Sequence, residues 1–135
     1  TCTVIRTSII GEEVGQTRSF IEWVKYNKGK TVNGYLNHKW NGVTCLQFAK
    51  TVENIISENK YWMGVKHIFS PNYVTKCELV EMVSNIYNLG ITINKIDDKY
   101  SIDRTLSTIY DSIFDIPSLE MQVEEQKEFY ENIKF

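Results

Sequence analysis

Three times in this chain a hydroxyl residue is followed three places later by Glu or Gln, and a run with helical apolar spacing comes next. The pairs are Ser19/Glu22, Thr44/Gln47 and Thr75/Glu78. In this capping-box pattern each side chain can satisfy the other residue's free backbone donor, so all three read as helix starts. The segments between them are β-rich. "CTVIRTSII" (Cys2–Ile10) is nearly continuous in apolar and β-branched character, as expected of a strand covered on both faces. "KTVNGYL" (Lys30–Leu36) reads as a short strand interrupted by a glycine, "VKHIFS" (Val65–Ser70) as a strand, and "ITINKI" (Ile91–Ile96) as a strand with one face more exposed.

The helices carry their own stripes. Phe20, Ile21, Trp23 and Val24 supply the first, which Gly29 stops, with Lys25 and Lys28 near its negative end. Leu46, Ala49, Val52, Ile55 and Ile56 supply the second, and Leu79, Met82, Val83 and Ile86 the third, which Gly90 ends. After an irregular stretch from residue 97 to 117, in which Asp97 and Asp98 read as a turn, a last helix is predicted from Ser118 to about Lys134. Leu119, Val123, Tyr130 and Ile133 face inward, and Glu120, Glu124, Glu125, Glu128 and Glu131 form a solvated acidic face. The order β-α-β-α-β-α-β-α predicts an α/β domain of alternating strands and helices over residues 1–135. A chain of 135 residues with 42% hydrophobic and 24% charged residues has the balance of an ordinary globular domain with a real core.

Several function classes drop out. A net charge of −2 gives no basic stripe for nucleic acid and no attraction to an anionic membrane surface. No apolar run approaches the roughly 18 residues of a membrane span. The three cysteines, Cys2, Cys45 and Cys77, are widely spaced, read as buried or half-buried free thiols, and point to the cytoplasm. The seven glycines are scattered and form no phosphate loop. No metal-ligand spacing and no nucleophile elbow occurs. Of the two histidines, His67 reads as a core residue and His38 as a solvated loop residue, so no catalytic residue is assigned.

Taken in order, several stretches resemble the second half of the extended short-chain dehydrogenase family, in the sugar-nucleotide reductase branch typified by dTDP-4-dehydrorhamnose reductase. "VIRTSIIG" resembles the strand after the family's Tyr-x-x-x-Lys helix, and "SFIEWVKYNKGK" the helix that follows. "NGVTCLQFAKTVENII" is similar to the loop and helix that usually carry Gly-x-Pro-Thr and a Leu-Ala pattern. "GVKHIFS" resembles the Gly-x-x-His-x-x-Ser strand, "TKCELVEMVSNIYN" the next helix, and "SIDRTLST" the late Arg-containing turn. The likeness runs from about residue 3 to 110. Ile9 stands where the reductases tend to have an aromatic residue, and Val43 and Thr105 stand where they have proline.

The resemblance implies a Rossmann-type fold and a C-terminal, substrate-binding part lacking the N-terminal dinucleotide-binding half. It implies NAD or NADP for the parent enzyme, none held by this chain, and a nucleotide-sugar substrate in nucleotide-sugar or polysaccharide biosynthesis. The chain alone is expected to be inactive, and the face left by the other half is expected to be apolar and to self-associate. The implied substrate-binding residues are Thr7, Ser8 and Ile9 at a strand's C-terminal end, where α/β sheets bind ligands. To these are added Thr44 at a helix N-terminus and Arg104, whose guanidinium can grip a phosphate with two parallel bonds. Each has a plainer alternative: a strand end, a helix cap, and for Arg104 an ion pair with Asp103, Asp111 or Asp115. Trp40 reads as a loop anchor or a surface for a base. The competing reading of the whole chain is a non-catalytic α/β protein-interaction module.

Overall fold

The computed structural model describes residues 2–111 and 114–133. Among them the chain forms strands β1 (Thr3–Arg6) and β2 (Ile9–Ile10), helix α1 (Phe20–Tyr26), strands β3 (Thr31–Tyr35), β4 (His38–Trp40) and β5 (Val43–Thr44), and helix α2 (Cys45–Ser57). Strands β6 (Gly64–His67) and β7 (Val74–Thr75), helix α3 (Lys76–Ile86), strands β8 (Thr92–Ile96) and β9 (Ile102–Arg104), and helix α4 (Leu119–Asn132) follow. This is a mixed α/β fold with small parallel and mixed sheets. Pairs β1–β6, β2–β5 and β3–β8 are parallel. Strand β4 lies between β7, antiparallel, and β9, parallel. The core joins Ile10 of β2, Ile21 and Val24 of α1, Val32 of β3, Leu79, Val80 and Val83 of α3, and Leu119 and Val123 of α4.

The expected first strand is two strands. The break falls at Thr7 and Ser8, where the Thr7 hydroxyl donates to the Ile68 carbonyl at 2.8 Å. It is also not covered on both faces, since Val4 and Ile9 are 39% and 50% exposed. The expected glycine interruption in β3 is absent. Gly34 lies within the strand because a Cβ there would come within 2.5 Å of Ile93 and 2.9 Å of the Cys77 sulfur, so glycine lets α3 close onto β3. Strands β4, β5, β7 and β9 have three residues or fewer and fall in segments that read as loops or irregular chain.

Only one of the three capping boxes is reciprocal. The Thr75 hydroxyl accepts from Glu78 N–H at 3.1 Å, and Glu78 accepts from Thr75 N–H. At α1, Ser19 accepts from Glu22 N–H, but the Glu22 carboxylate turns to Glu13 N–H. At α2, Thr44 accepts from Gln47 N–H at 3.1 Å, while Thr44 N–H donates to Gln122 Oε1 of α4 at 3.1 Å. Gln126 Oε1 accepts from Leu46 N–H at 3.0 Å, so α4 satisfies the start of α2 from outside. The remaining Gln122 hydrogens go to the Ser70 hydroxyl and the Pro117 carbonyl, both at 2.9 Å.

Helix α2 therefore sits turned from its predicted face. Gln47, Thr51 and Ile55 are buried, whereas Ala49 and Ile56 are exposed. Helix α4 keeps its acidic outer face but buries Gln122 and Gln126 with Leu119 and Val123. Ile133 is half-buried, and Lys134 lies outside the described residues. Cys77 is buried, while Cys2 and Cys45 are exposed, against expectation. No helix among the described residues is long and apolar enough to cross a membrane.

Candidate functional site

The short strands assemble a cleft of about 360 Å³, within the size range of small-molecule sites. Strand β4 forms its floor with His38, Lys39 and Trp40; β2 and its approach add Ser8, Ile9 and Ile10; β9 adds Ile102 and Arg104; α3 adds Lys76 and Leu79; α1 adds Phe20. The lining holds the cations Lys39, Lys76 and Arg104, two aromatic rings and no carboxylate.

Trp40 is locked in place. Its indole N–H donates to the Ser8 hydroxyl at 2.7 Å, and Val43 N–H donates to the Ser8 carbonyl at 2.9 Å. Gly42 makes this possible, because a Cβ there would lie 2.2 Å from both the Ser8 carbonyl oxygen and the indole ring. Trp40 belongs to a strand rather than a loop, and its register partner on β9 is Arg104. A clamp from the buried Asn41 holds the turn after β9: its amide donates to the Leu106 carbonyl at 2.8 Å and its carbonyl accepts from Leu106 N–H at 2.7 Å. Arg104 itself is exposed and forms no ion pair among the described residues, contrary to the alternative that paired it with a neighbouring Asp.

At the other end of the cleft, His38 Nε2 lies 2.9 Å from Asp98 Oδ2. Asp98 is thus a partner of the cleft rather than a simple turn residue, and His38 is half-buried in a strand rather than solvated in a loop. Tyr35 packs its ring on His38 at 4.7 Å, and the Lys76 ammonium lies over Tyr35 at 5.5 Å and Trp23 at 5.8 Å. Behind Lys39, Asp103 accepts from both the hydroxyl and the N–H of Thr105, at 2.7 and 2.9 Å. Those bonds, with a smaller contribution from Lys39, hold its carboxyl below the usual range.

Of the residues singled out in the sequence, the fold brings Ser8, Ile9 and Arg104 together. Thr7 spends its hydroxyl on Ile68 and does not line the cleft. Thr44 is fully buried, and the N–H groups of Thr44, Leu46 and Gln47 are taken by Gln122, Gln126 and Thr44 itself, so this helix start does not offer them to an anion. Lys39 and Lys76 were not legible as site residues, because only the pairing of β4 with β7 and β9 carries them to Arg104. The two departures from proline have a local cause. Val43 N–H bonds to Ser8 and Thr105 N–H to Asp103, donors that proline lacks.

A second groove, of about 340 Å³, lies past the C-terminal ends of β1 and β6, with Arg6, Lys66, His67 and Tyr110 in its wall. His67 is not a core residue. It is half-buried, its Nδ1–H donates to the Ser107 carbonyl at 2.8 Å, and its Nε2 accepts from Arg6 at 3.3 Å. No group of His, Cys, Asp and Glu among the described residues could hold a metal ion.

No protein-family model matches the chain, and no curated protein matches it by sequence. Solved structures do match it. The dTDP-4-dehydrorhamnose reductase of Bacillus anthracis, solved in complex with NADP, superposes with a TM-score of 0.74 at 13% identity, over 96% of this chain and 48% of that one. The dTDP-4-dehydrorhamnose reductase of Yersinia enterocolitica gives 0.74 at 15% identity, over 93% and 48%. The chain shares its fold with about half of an extended short-chain dehydrogenase. The UDP-N-acetylglucosamine 4-epimerase of Methanobrevibacter ruminantium, in complex with UDP-N-acetylmuramic acid, has the same fold, with a TM-score of 0.63 at 18% identity over 96% and 46%. The chain spans about half the length of these dehydrogenase-fold structures.

No helix among the described residues opens on a G-x-G-x-x-G turn of the kind that holds the pyrophosphate of a dinucleotide. That group is held by free N–H donors at a glycine-rich strand-to-helix turn. Here donors at the starts of α1, α2, α3 and α4 bond to Ser19, Thr44, Gln126, Thr75 and Ser118 of the chain itself.

Proposed function

We propose that this chain is the substrate-binding part of an NAD(P)-dependent sugar-nucleotide reductase or epimerase and that the cleft between β4, β9 and α3 holds the nucleotide sugar. One observation carries this reading: Arg104 stands beside an indole ring fixed by Ser8, in a cleft that Lys76 also lines and no carboxylate does. A nucleoside diphosphate asks for that combination, two anionic phosphates and a flat base. The part of catalysis assigned to these residues is orientation, which lowers a barrier by holding the sugar where it reacts. In this reading the dinucleotide is held by the dinucleotide-binding half of the parent enzyme, so the chain by itself is expected to bind sugar nucleotide without turning it over. Free thiols fit a reducing compartment, and we place the protein in the cytoplasm, in nucleotide-sugar or polysaccharide biosynthesis.

Titration with dTDP-glucose, followed by calorimetry and by indole fluorescence, tests the reading. Saturable binding that quenches fluorescence in the wild type, with the quench lost in Trp40→Phe, supports it. Absence of binding at millimolar ligand contradicts it.

A further inference from the structure

We propose that the sugar this cleft accepts carries a carboxylate, and that Lys76 reads it. The proposal rests on the reading of the cleft as a sugar-nucleotide site. The cations fall into two groups. Arg104 lies beside Trp40 in the β4–β9 register, and Lys39 is the residue before Trp40. Lys39 points to the opposite face of β4, where Asp103 is its register partner and its ammonium lies over the Tyr73 ring at 4.9 Å. Arg104 answers the charge of a diphosphate.

Lys76 belongs to the other end. It opens α3, is half-buried, and is held over the rings of Trp23 and Tyr35, the latter stacked on His38. His38 already has Asp98, whereas no carboxylate pairs with Lys76 among the described residues. An ammonium that has given up part of its hydration needs an anionic partner, and aromatic faces replace only some of what water supplied. A neutral hexose offers Lys76 hydroxyl groups alone, while a uronic acid or lactyl ether offers it a carboxylate. His38 and Trp40 sit on the same face of β4, about 7 Å apart along the strand, so Arg104 and Lys76 address different parts of one ligand.

Calorimetric titration of the chain with UDP-glucuronate and UDP-glucose at low ionic strength tests this. The acidic sugar is expected to bind roughly 10-fold tighter, the ratio given by one charge-assisted hydrogen bond. Lys76→Gln should erase that preference, and Arg104→Ala should weaken both ligands alike. Equal affinity of the wild type for the two sugars overturns the carboxylate proposal and leaves the sugar-nucleotide reading standing, as does a preference that survives Lys76→Gln. Loss of UDP-glucose binding in Lys76→Gln also overturns it, since Lys76 then serves the diphosphate. If neither sugar nucleotide binds, the reading beneath it fails as well.

Discussion

Arg104 has no carboxylate partner among the described residues, so its charge is free for a ligand. Arg104→Ala is expected to weaken sugar-nucleotide binding by about 1.5–3 kcal/mol, the range for a hydrogen bond to a charged group. Arg104→Lys should recover only part, because it keeps the charge and loses the planar fork. Thermal melts of both variants should match the wild type, since nothing in the fold leans on this side chain; an earlier melt with unaltered affinity would reassign Arg104 to the β9 turn. Glu12 presents the opposite case, an ionisable group enclosed by the fold. Its side chain is 1% exposed, one oxygen accepts from the Tyr87 hydroxyl, and Oε2 has no partner. Burial pushes its pKa above the ordinary 4.5, against the pull of Tyr87 and of Lys25 at 3.5 Å. A carboxyl whose folded pKa is raised contributes stability that is complete below the unfolded value and is lost as pH rises through the folded one. Wild-type stability should therefore fall relative to Glu12→Gln as pH is raised from about 4.5, read from denaturant midpoints at successive pH values. A constant gap between the two proteins would show that Glu12 does not titrate in this range.

At the scale of elements, α4 is fastened by amides rather than by a broad apolar face. Gln122 and Gln126 are 1% and 6% exposed and close the start of α2. Gln122→Leu leaves Thr44 N–H buried without an acceptor, which should cost about 1–3 kcal/mol. Gln122→Glu keeps an acceptor but loses the donors to Ser70 and Pro117 and buries a charge, so it should be worse at neutral pH; urea midpoints rank the three proteins. A Gln122→Leu protein as stable as the wild type would mean that apolar contacts alone seat α4. This fastening explains much of what the sequence did and did not disclose. The cores of α1 and α3 were legible, because Ile21, Val24, Leu79 and Val83 recur at helical spacing and are buried. The seating of α2 and α4 was not, because the residues buried there, Gln47, Thr51, Gln122 and Gln126, are polar, and the partners of Gln122 and Gln126 on α2 lie far along the chain. The cleft was half legible for the same reason. Ser8, Ile9 and Arg104 could be singled out by residue type and resemblance, whereas strands of two or three residues carry no periodic signal that would bring Lys39 and Lys76 to them.

For the whole molecule, the decisive relation is between the cleft and the second groove. Both are open and both are lined by cations, one at β4 and β9 and the other at the ends of β1 and β6. They differ in what surrounds the charge. In the groove, Arg6 and His67 bond to each other, and Lys66 lies over the rings of Trp62 and Tyr110 at 5.3 and 5.1 Å. In the cleft, Arg104 stands beside a fixed indole and the floor is a three-stranded sheet. The account places the nucleotide sugar in the cleft. Amide and indole N–H chemical shifts of the labelled protein, followed during titration with a nucleoside diphosphate sugar, test that placement most directly. The expected result is a saturable set of changes at Ser8, Ile9, Lys39, Trp40 and Arg104, including the Trp40 indole signal. Changes confined to Arg6, Lys66, His67 and Tyr110 would contradict it and move the site to the far groove.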